Sequence, residues 1–252
     1  MKQVFKTDKG KVRQHNEDNG TICFNQNGQR LAIVADGMGG HRAGDVASRL
    51  TVDKLSEFWL ANDKIESADD AENWLKAKIL EVNQYVYQYS VNHPECDGMG
   101  TTVIACICTE NFSTIAHVGD SRCYLYNEDG FKQVTEDHSL VNELVRMGEI
   151  SKEDAEHHPR KNVVLRALGT DENLNVDIMT IMFEEGDVIL ICSDGLSNKV
   201  PEVELMTVLT KQASLDEKAS MLIQSANDSG GEDNITVIIL EHLDIHQAGE
   251  AP

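Results

Sequence analysis

The chain has 252 residues, of which 43 are Asp or Glu and 22 are Lys or Arg, so its formal charge is −21. Acid in this surplus excludes a grip on nucleic-acid backbones or anionic membranes, since both are built on Lys and Arg. With 40% hydrophobic residues the chain can bury a full core, which excludes disorder throughout, and its length suits one large domain or two small ones.

The first twenty residues hold no apolar stretch of signal-peptide length, and the longest apolar run, 103–108, is too short to cross a bilayer. Neither secretion nor a membrane span is expected. Residues 21–24 and 31–35 are β-prone on either side of the turn-like Asn25-Gln26-Asn27-Gly28, which predicts a hairpin. After Gly37-Met38-Gly39-Gly40, apolar residues recur at helical spacing twice: Ala43, Ala47, Leu50 and Phe58, then Leu75, Ile79, Val82, Val86 and Tyr89. These predict two amphipathic helices, with the acidic residues 63–72 between them as a solvated connection.

Residues 103–108, 113–118 and 123–126 predict a strand meander, 138–147 a helix, and 148–162 a polar segment that holds His157-His158-Pro159-Arg160-Lys161. Strands are expected at 176–182 and 188–192, helices at 201–209 (opened by Pro201) and 215–226, and a last strand at 235–240. No internal repeat or long linker divides the chain, so a single domain over 1–242 is expected, followed by a loose tail at 243–252. Strand runs separated by helix pairs favour an α+β fold of antiparallel sheets covered by helices over a parallel doubly wound sheet.

The six cysteines (Cys23, Cys96, Cys106, Cys108, Cys123 and Cys192) form no C-x-x-C pair, and four sit in apolar, strand-like segments. They read as reduced, mostly buried thiols of a cytosolic protein. Cys106 and Cys108 fall on one face of a strand, which leaves a redox or soft-metal pair open, although no further ligand stands close in sequence.

Particular carboxylates punctuate the strands. Asp36 follows the run 31–35 and precedes Gly37; Asp194 follows 188–193 and precedes Gly195. Asp120 follows Val118-Gly119, Asp233 stands just before the last strand, and Glu17-Asp18 just before the first. Any one of these is compatible with an ordinary Asx turn. Gathered at one end of a sheet assembly, they would repel each other and take up protons or bind cations, and all-oxygen ligands select hard ions such as Mg²⁺ or Mn²⁺.

Six segments, Arg13-x-x-Asn16-Glu17-Asp18, Asp36-Gly37-Met38-Gly39-Gly40-His41, Gly98-Met99-Gly100-Thr101-Thr102, Val118-Gly119-Asp120-Ser121-Arg122, Ser193-Asp194-Gly195-Leu196 and Gly231-x-Asp233-Asn234-Ile235-Thr236-Val237, occur in this order. The series resembles the successive motifs of the metal-dependent serine/threonine protein phosphatases, type 2C, in their compact bacterial form. The resemblance runs from about residue 4 to 240. It implies a central sandwich of two antiparallel sheets flanked on both faces by helix pairs. It also implies hydrolysis of phosphoserine and phosphothreonine by direct attack of a hydroxide bridging two divalent ions, without a phosphoenzyme.

Carried over residue by residue, the resemblance makes Asp36 the bridge between two ions, with Asp18 and the Gly37 carbonyl on one and Asp194 and Asp233 on the other. Glu17 would act mainly through metal-bound water, and Asp120 would help hold a third, weaker ion. Arg13 would bind the substrate phosphate, the alternative being an ion pair with Glu17 or Asp18. Many eukaryotic relatives have histidine directly after the Asp-Gly, where this chain has Met38; His41, three residues on, becomes the candidate general acid, with a helix-start or supporting role as the alternative. Residues 148–166 correspond to the family's variable flap, where Arg160, Lys161 and Arg166 form a basic island that either draws phosphopeptides or is simply solvated.

The implied partners are phosphorylated Ser/Thr proteins and a cognate cytoplasmic Ser/Thr kinase, with the enzyme acting as a monomer. A two-metal nuclease also needs clustered carboxylates, but the charge and the lack of basic–aromatic interleaving oppose it. A metal-binding module without activity is opposed by the filled ligand positions.

Overall fold

A computed structural model describes residues 1–39 and 43–242. The expected tail at 243–252 therefore lies outside the described residues. The first strands are β1 (Lys2–Asp8), β2 (Asp18–Phe24) and β3 (Arg30–Met38). Helices α1 (Ala43–Leu60) and α2 (Ala68–Asn92) follow, then a single 3₁₀ turn (Pro94–Cys96). Next come β4 (Gly100–Thr101), β5 (Val103–Cys108), β6 (Phe112–Val118), β7 (Arg122–Asn127) and β8 (Gly130–Gln133). Two short helices, α3 (Leu140–Arg146) and α4 (Lys152–Glu156), precede β9 (Asp177–Met182) and β10 (Val188–Cys192). The chain closes with α5 (Asp194–Ser197), α6 (Glu202–Leu209), α7 (Leu215–Asp228) and β11 (Ile235–Glu241).

The strands form two antiparallel sheets, one ordered β1-β11-β10-β7-β8 and the other β2-β3-β5-β6-β9, with β4 paired to β3. The central strands are apolar at nearly every position because both of their faces are covered. In β5, Val103, Ala105 and Ile107 pack toward α1 and α2, whereas Ile104, Cys106 and Cys108 pack into the space between the sheets. In β11, Ile235, Val237 and Ile239 pack with Leu205, Leu222 and Ala226 of α6 and α7, and Ile238 and Leu240 turn into the sandwich. The result is the α-β-β-α layering that the motif order implied.

The hairpin β2–β3 forms as expected, in the register Asp18↔Asp36 through Phe24↔Arg30. Three expectations need correction. Residues 63–72 are not all connection, because α2 starts at Ala68: Ser67 caps it by accepting the Asp70 N–H, and Asp69 and Asp70 sit in the first turn, where carboxylates favour the helix dipole. Strand β3 does not stop at residue 35 but carries Asp36 and Gly37 inside it, since β4 extends the pairing through Gly37↔Thr101. The polar segment 148–162 contains α4, capped by Ser151.

All six thiols are free. Cys106 and Cys108 are buried with their sulfurs 3.5 Å apart. Among the described residues no helix is long and apolar enough to cross a membrane.

Candidate active site

Sheet register gathers the carboxylates. Asp18 opens β2 directly opposite Asp36 in β3. The end of β10 lies between the start of β11 and the start of β7, through Cys192↔Val237 and Cys192↔Arg122. Segments carrying Asp194, Asp233 and Asp120 therefore emerge at one end of the sandwich, beside Asp18 and Asp36.

Each side chain is held from behind. Asp18 is 7% exposed and accepts the Ser193 hydroxyl on Oδ2 at 2.7 Å. Ser193 Oγ in turn accepts the Thr236 N–H at 2.9 Å, which ties β2 to the β10 and β11 ends. The peptide at Asp36 is fixed by Thr102, whose Oγ1 accepts the Asp36 N–H at 3.0 Å while the Thr102 N–H donates to the Asp36 carbonyl at 2.8 Å. Asn198 donates to Asp194 Oδ2 at 3.0 Å. Asn234 accepts the Glu17 N–H at 2.7 Å and donates to the carbonyls of Lys9 and His15 at 2.8 and 3.0 Å. It thereby anchors the 9–16 loop, which carries Arg13, onto the segment of Asp233.

Arg13 pairs with Asp233, Nη2 to Oδ2 at 2.8 Å, and not with Glu17 or Asp18 as the alternative sequence assignment had it. Gly37 lies where no side chain fits: a β-carbon there would stand 2.2 Å from the Gly44 carbonyl oxygen and 2.6 Å from that of Glu17. The same closeness recurs at Gly195, whose β-carbon would meet the Asn234 carbonyl at 2.0 Å.

The electrostatics follow from crowding like charges in a half-dry site. Burial pushes Asp18 up to about 7, reinforced by Asp194 and Asp233 and opposed by the Ser193 and Thr236 hydroxyls. Burial, then the charges of Asp18, Asp194, Asp120 and Asp233, hold Asp36 well above the usual carboxylate range. Asp120 is raised to about 7 by burial and then by Asp194 and Asp137; Asp194 rises to about 6 by burial and then by Asp233. Glu17 is raised by burial, with Arg13 working against it. Such a group is destabilised as it stands and gains most from a cation.

Asp18 Oδ1 is buried with no hydrogen-bond partner among the described residues. An orphaned carboxylate oxygen in a cluster of carboxylates, in a donor set made only of oxygen, fits a hard divalent ion. Among the described residues no three His, Cys, Asp or Glu side chains already close on one point at ligand spacing. The geometry is that of a cluster whose members a cation would draw together.

A cavity of about 880 Å³ adjoins Asp120 and Asp194 and is walled by the flap through Lys152, His157 and Lys161, with Lys199 opposite. Lys161 lines it; Arg160 is exposed beside it. Arg166 leaves the expected basic island, because its guanidinium donates to Asp177 Oδ1 at 2.9 Å. His41, the candidate general acid, lies outside the described residues.

The supporting roles of Ser193, Thr102 and Asn234 went unread in the sequence. Their only signal was position: Ser193 and Asn234 adjoin Asp194 and Asp233 at strand ends, and Thr102 lies between β4 and β5 with no aspartate next to it in sequence.

The family described as Protein phosphatase 2C matches residues 8–229. The chain is 50% identical over 241 residues to the serine/threonine phosphatase stp of Listeria welshimeri, covering 96% of each. Among solved structures it is similar to the serine/threonine phosphatase Stp1 of Staphylococcus aureus, with 39% identity, coverage of 94% and 93%, and a TM-score of 0.90. It is also similar to the catalytic domain of the serine/threonine protein phosphatase PstP in complex with two manganese ions, with 31% identity, coverage of 96% and 98%, and a TM-score of 0.84.

Proposed function

The chain belongs to the protein phosphatase 2C family and is a divalent-metal-dependent serine/threonine phosphatase of phosphorylated proteins, and we propose that the carboxylate cluster around Asp36 is its catalytic centre. The observation that carries this reading is Asp18, which has a buried oxygen without a partner among the described residues and stands opposite Asp36, within the influence of Asp194 and Asp233. Asp36, Asp18 and the Gly37 carbonyl would hold one core ion, and Asp194 and Asp233, beside Asp36, would hold the other. Glu17 would support the site through water, and Asp120 would help hold a third, weaker ion. Either Mg²⁺ or Mn²⁺ suits these oxygens. Bound there, the ions acidify the attacking water and offset charge on the phosphoryl group.

The chain's own residues do the rest. Arg13 sits at the exposed rim, its guanidinium steadied by Asp233, with donors left to pair with two phosphoryl oxygens. Ser193, Thr102 and Asn234 hold the carboxylates and the Arg13 loop in place, so little reorganisation is needed during turnover. Proton return to the departing Ser or Thr alkoxide falls, on sequence grounds, to His41. Lys161 on the cavity wall and exposed Arg160 give the approaching phosphopeptide a positive edge.

The enzyme acts as a monomeric single domain over 1–242 in the cytoplasm, reversing a Ser/Thr kinase in signal transduction. Its six free thiols support the reducing compartment.

Hydrolysis of a phosphothreonine peptide should require added Mn²⁺ or Mg²⁺ and stop with chelator. In Asp36→Asn it should fall more than about 100-fold, since even the outer partners of a metal ligand cost 10–100-fold. Turnover that survives chelation would sink this reading.

A further inference from the structure

Among the described residues no other side chain hydrogen-bonds the carboxylate of Asp120, so its aim is set by the backbone before it. That backbone is unusual. Gly119 has φ +111°, and a β-carbon on it would lie 2.5 Å from Thr102 Cγ2. The Gly119 peptide groups are gripped from both sides. Its N–H donates to His138 Nδ1 at 3.0 Å, and its carbonyl accepts both the His138 N–H and His117 Nε2–H at 2.8 Å.

The two rings stack, their centroids 4.4 Å apart at 31°. Because Nδ1 of His138 accepts, the neutral ring carries its proton on Nε2, which lies 3.0 Å from Asp177 Oδ2 and 3.2 Å from the Arg166 guanidinium that pairs with the same carboxylate. Arg166 holds the other oxygen of Asp177 at 2.9 Å. His138 is 6% exposed, and its carbonyl accepts the Leu165 N–H at 2.7 Å, which locks the ring's own backbone to the far end of the flap.

A turn that merely had to be buried would need one partner per peptide group. Here one glycine carries three bonds to two histidines, two of them to imidazole rings and one to the His138 backbone, and the acceptor ring is oriented by a carboxylate and a guanidinium. The order carboxylate, histidine, peptide, aspartate has the form of an outer shell that aims a metal ligand. We propose that His138 is a positioning residue, which fixes the reach of Asp120 by accepting the Gly119 N–H. The inference rests on the reading of Asp120 as a ligand of the third, weaker cation.

Two substitutions separate the halves of the imidazole. His138→Asn keeps an acceptor near the Nδ1 position and loses the reach to Asp177; His138→Gln keeps a donor near Nε2 and loses the acceptor for Gly119. Mn²⁺ binding to the whole chain is followed by the electron paramagnetic resonance of the free ion, with folding checked by circular dichroism. In His138→Gln the weak phase should loosen about tenfold or more while the tight phase is unchanged; His138→Asn should stay near the wild type. Equal weak binding in the two variants, or loss of tight and weak phases together, would overturn the role.

Asp120→Ala separates the two levels of the argument. It should abolish the weak phase; a weak phase that persists overturns the third-cation reading and the inference with it. Loss in Asp120→Ala beside an intact weak phase in His138→Gln overturns the positioning role alone. Should His138→Gln fail to fold, the wild-type chain still decides. Its histidine ¹⁵N spectrum, titrated with Mg²⁺, should show His138 Nδ1 moving in step with the weak phase. A resonance indifferent to that phase is the contrary result.

Discussion

His117 donates from Nε2 to the Gly119 carbonyl, and its Nδ1 is buried with no partner among the described residues. A second proton would have to enter at that orphaned nitrogen, and burial accordingly lowers the group from its usual 6.5 to about 4. The unfolded chain thus binds a proton that the folded chain refuses. Stability from His117 is full above pH 6.5 and drains away as the pH falls toward 4. Asp18 and Asp120, raised to about 7, work in the opposite direction in the metal-free chain, so the comparison must be with a variant. His117→Phe keeps a ring in place and removes the titration. Urea unfolding without metal, at pH 7 and pH 5, should show the wild type losing about 2 kcal/mol more than His117→Phe over that interval. Parallel losses would show that His117 is protonated in the fold. No sequence pattern announces this residue, since a histidine inside an apolar strand looks like an interruption until β6 and the flap base are packed together.

Element by element, the site depends on close backbone contacts that only glycine permits. Gly37 lets β3 lie against the first turn of α1, and a methyl group there would drive the Gly44 carbonyl away. Gly37→Ala should cost at least about 2 kcal/mol of stability by overpacking. It should also weaken Mn²⁺ binding, because Asp36 and Gly37 move with the strand. Calorimetric titration and urea unfolding test both effects, and an unchanged chain would mean that α1 yields at no cost. Most elements were legible in the sequence because their periods are pure: β5 and β10 are apolar throughout, β11 at five of its seven positions, and α1 and α2 repeat at three and four. What escaped was decided by partners. β1 reads as a charged segment, LysGlnValPheLysThrAsp, and is a strand because β11 offers its edge from Lys2↔Glu241 to Asp8↔Ile235. α4 and α5 are too short for a periodicity to show and exist through Ser151 and the turn after β10.

Across the whole molecule the charge of −21 is spread over far more carboxylates than the site uses, and the exceptions are local. Arg160 and Lys161 stand on the flap beside the cavity, whereas Arg166 is committed to Asp177. A long-range field from so acidic a surface would repel phosphopeptides, and a small positive edge at the mouth offsets it most at low salt. Replacing both Arg160 and Lys161 by Ala should raise KM for a phosphopeptide several-fold while leaving that for p-nitrophenyl phosphate nearly unchanged, with the gap narrowing as salt is added. Equal effects on the two substrates would assign these residues to the fold or to general electrostatics. The aspartates of the candidate site were legible because they sit at strand ends within ordered motifs. The partner of Arg13 was not, since Asp233 lies 220 residues away and only the sheet brings the two together.

The strand order β1-β11-β10 has a consequence for how the chain is made. Among the described residues β1 has β11 as its only hydrogen-bonded strand partner, so β1 must wait for residues 235–241. Asp233 and Asn234, which complete the carboxylate cluster and pin the Arg13 loop, arrive just ahead of that strand. Non-local closure of this kind is slow and late. A chain that lacks residues 233–241 is missing an interior strand of one sheet together with Asp233, so the ability to remove phosphate waits until that stretch has been made.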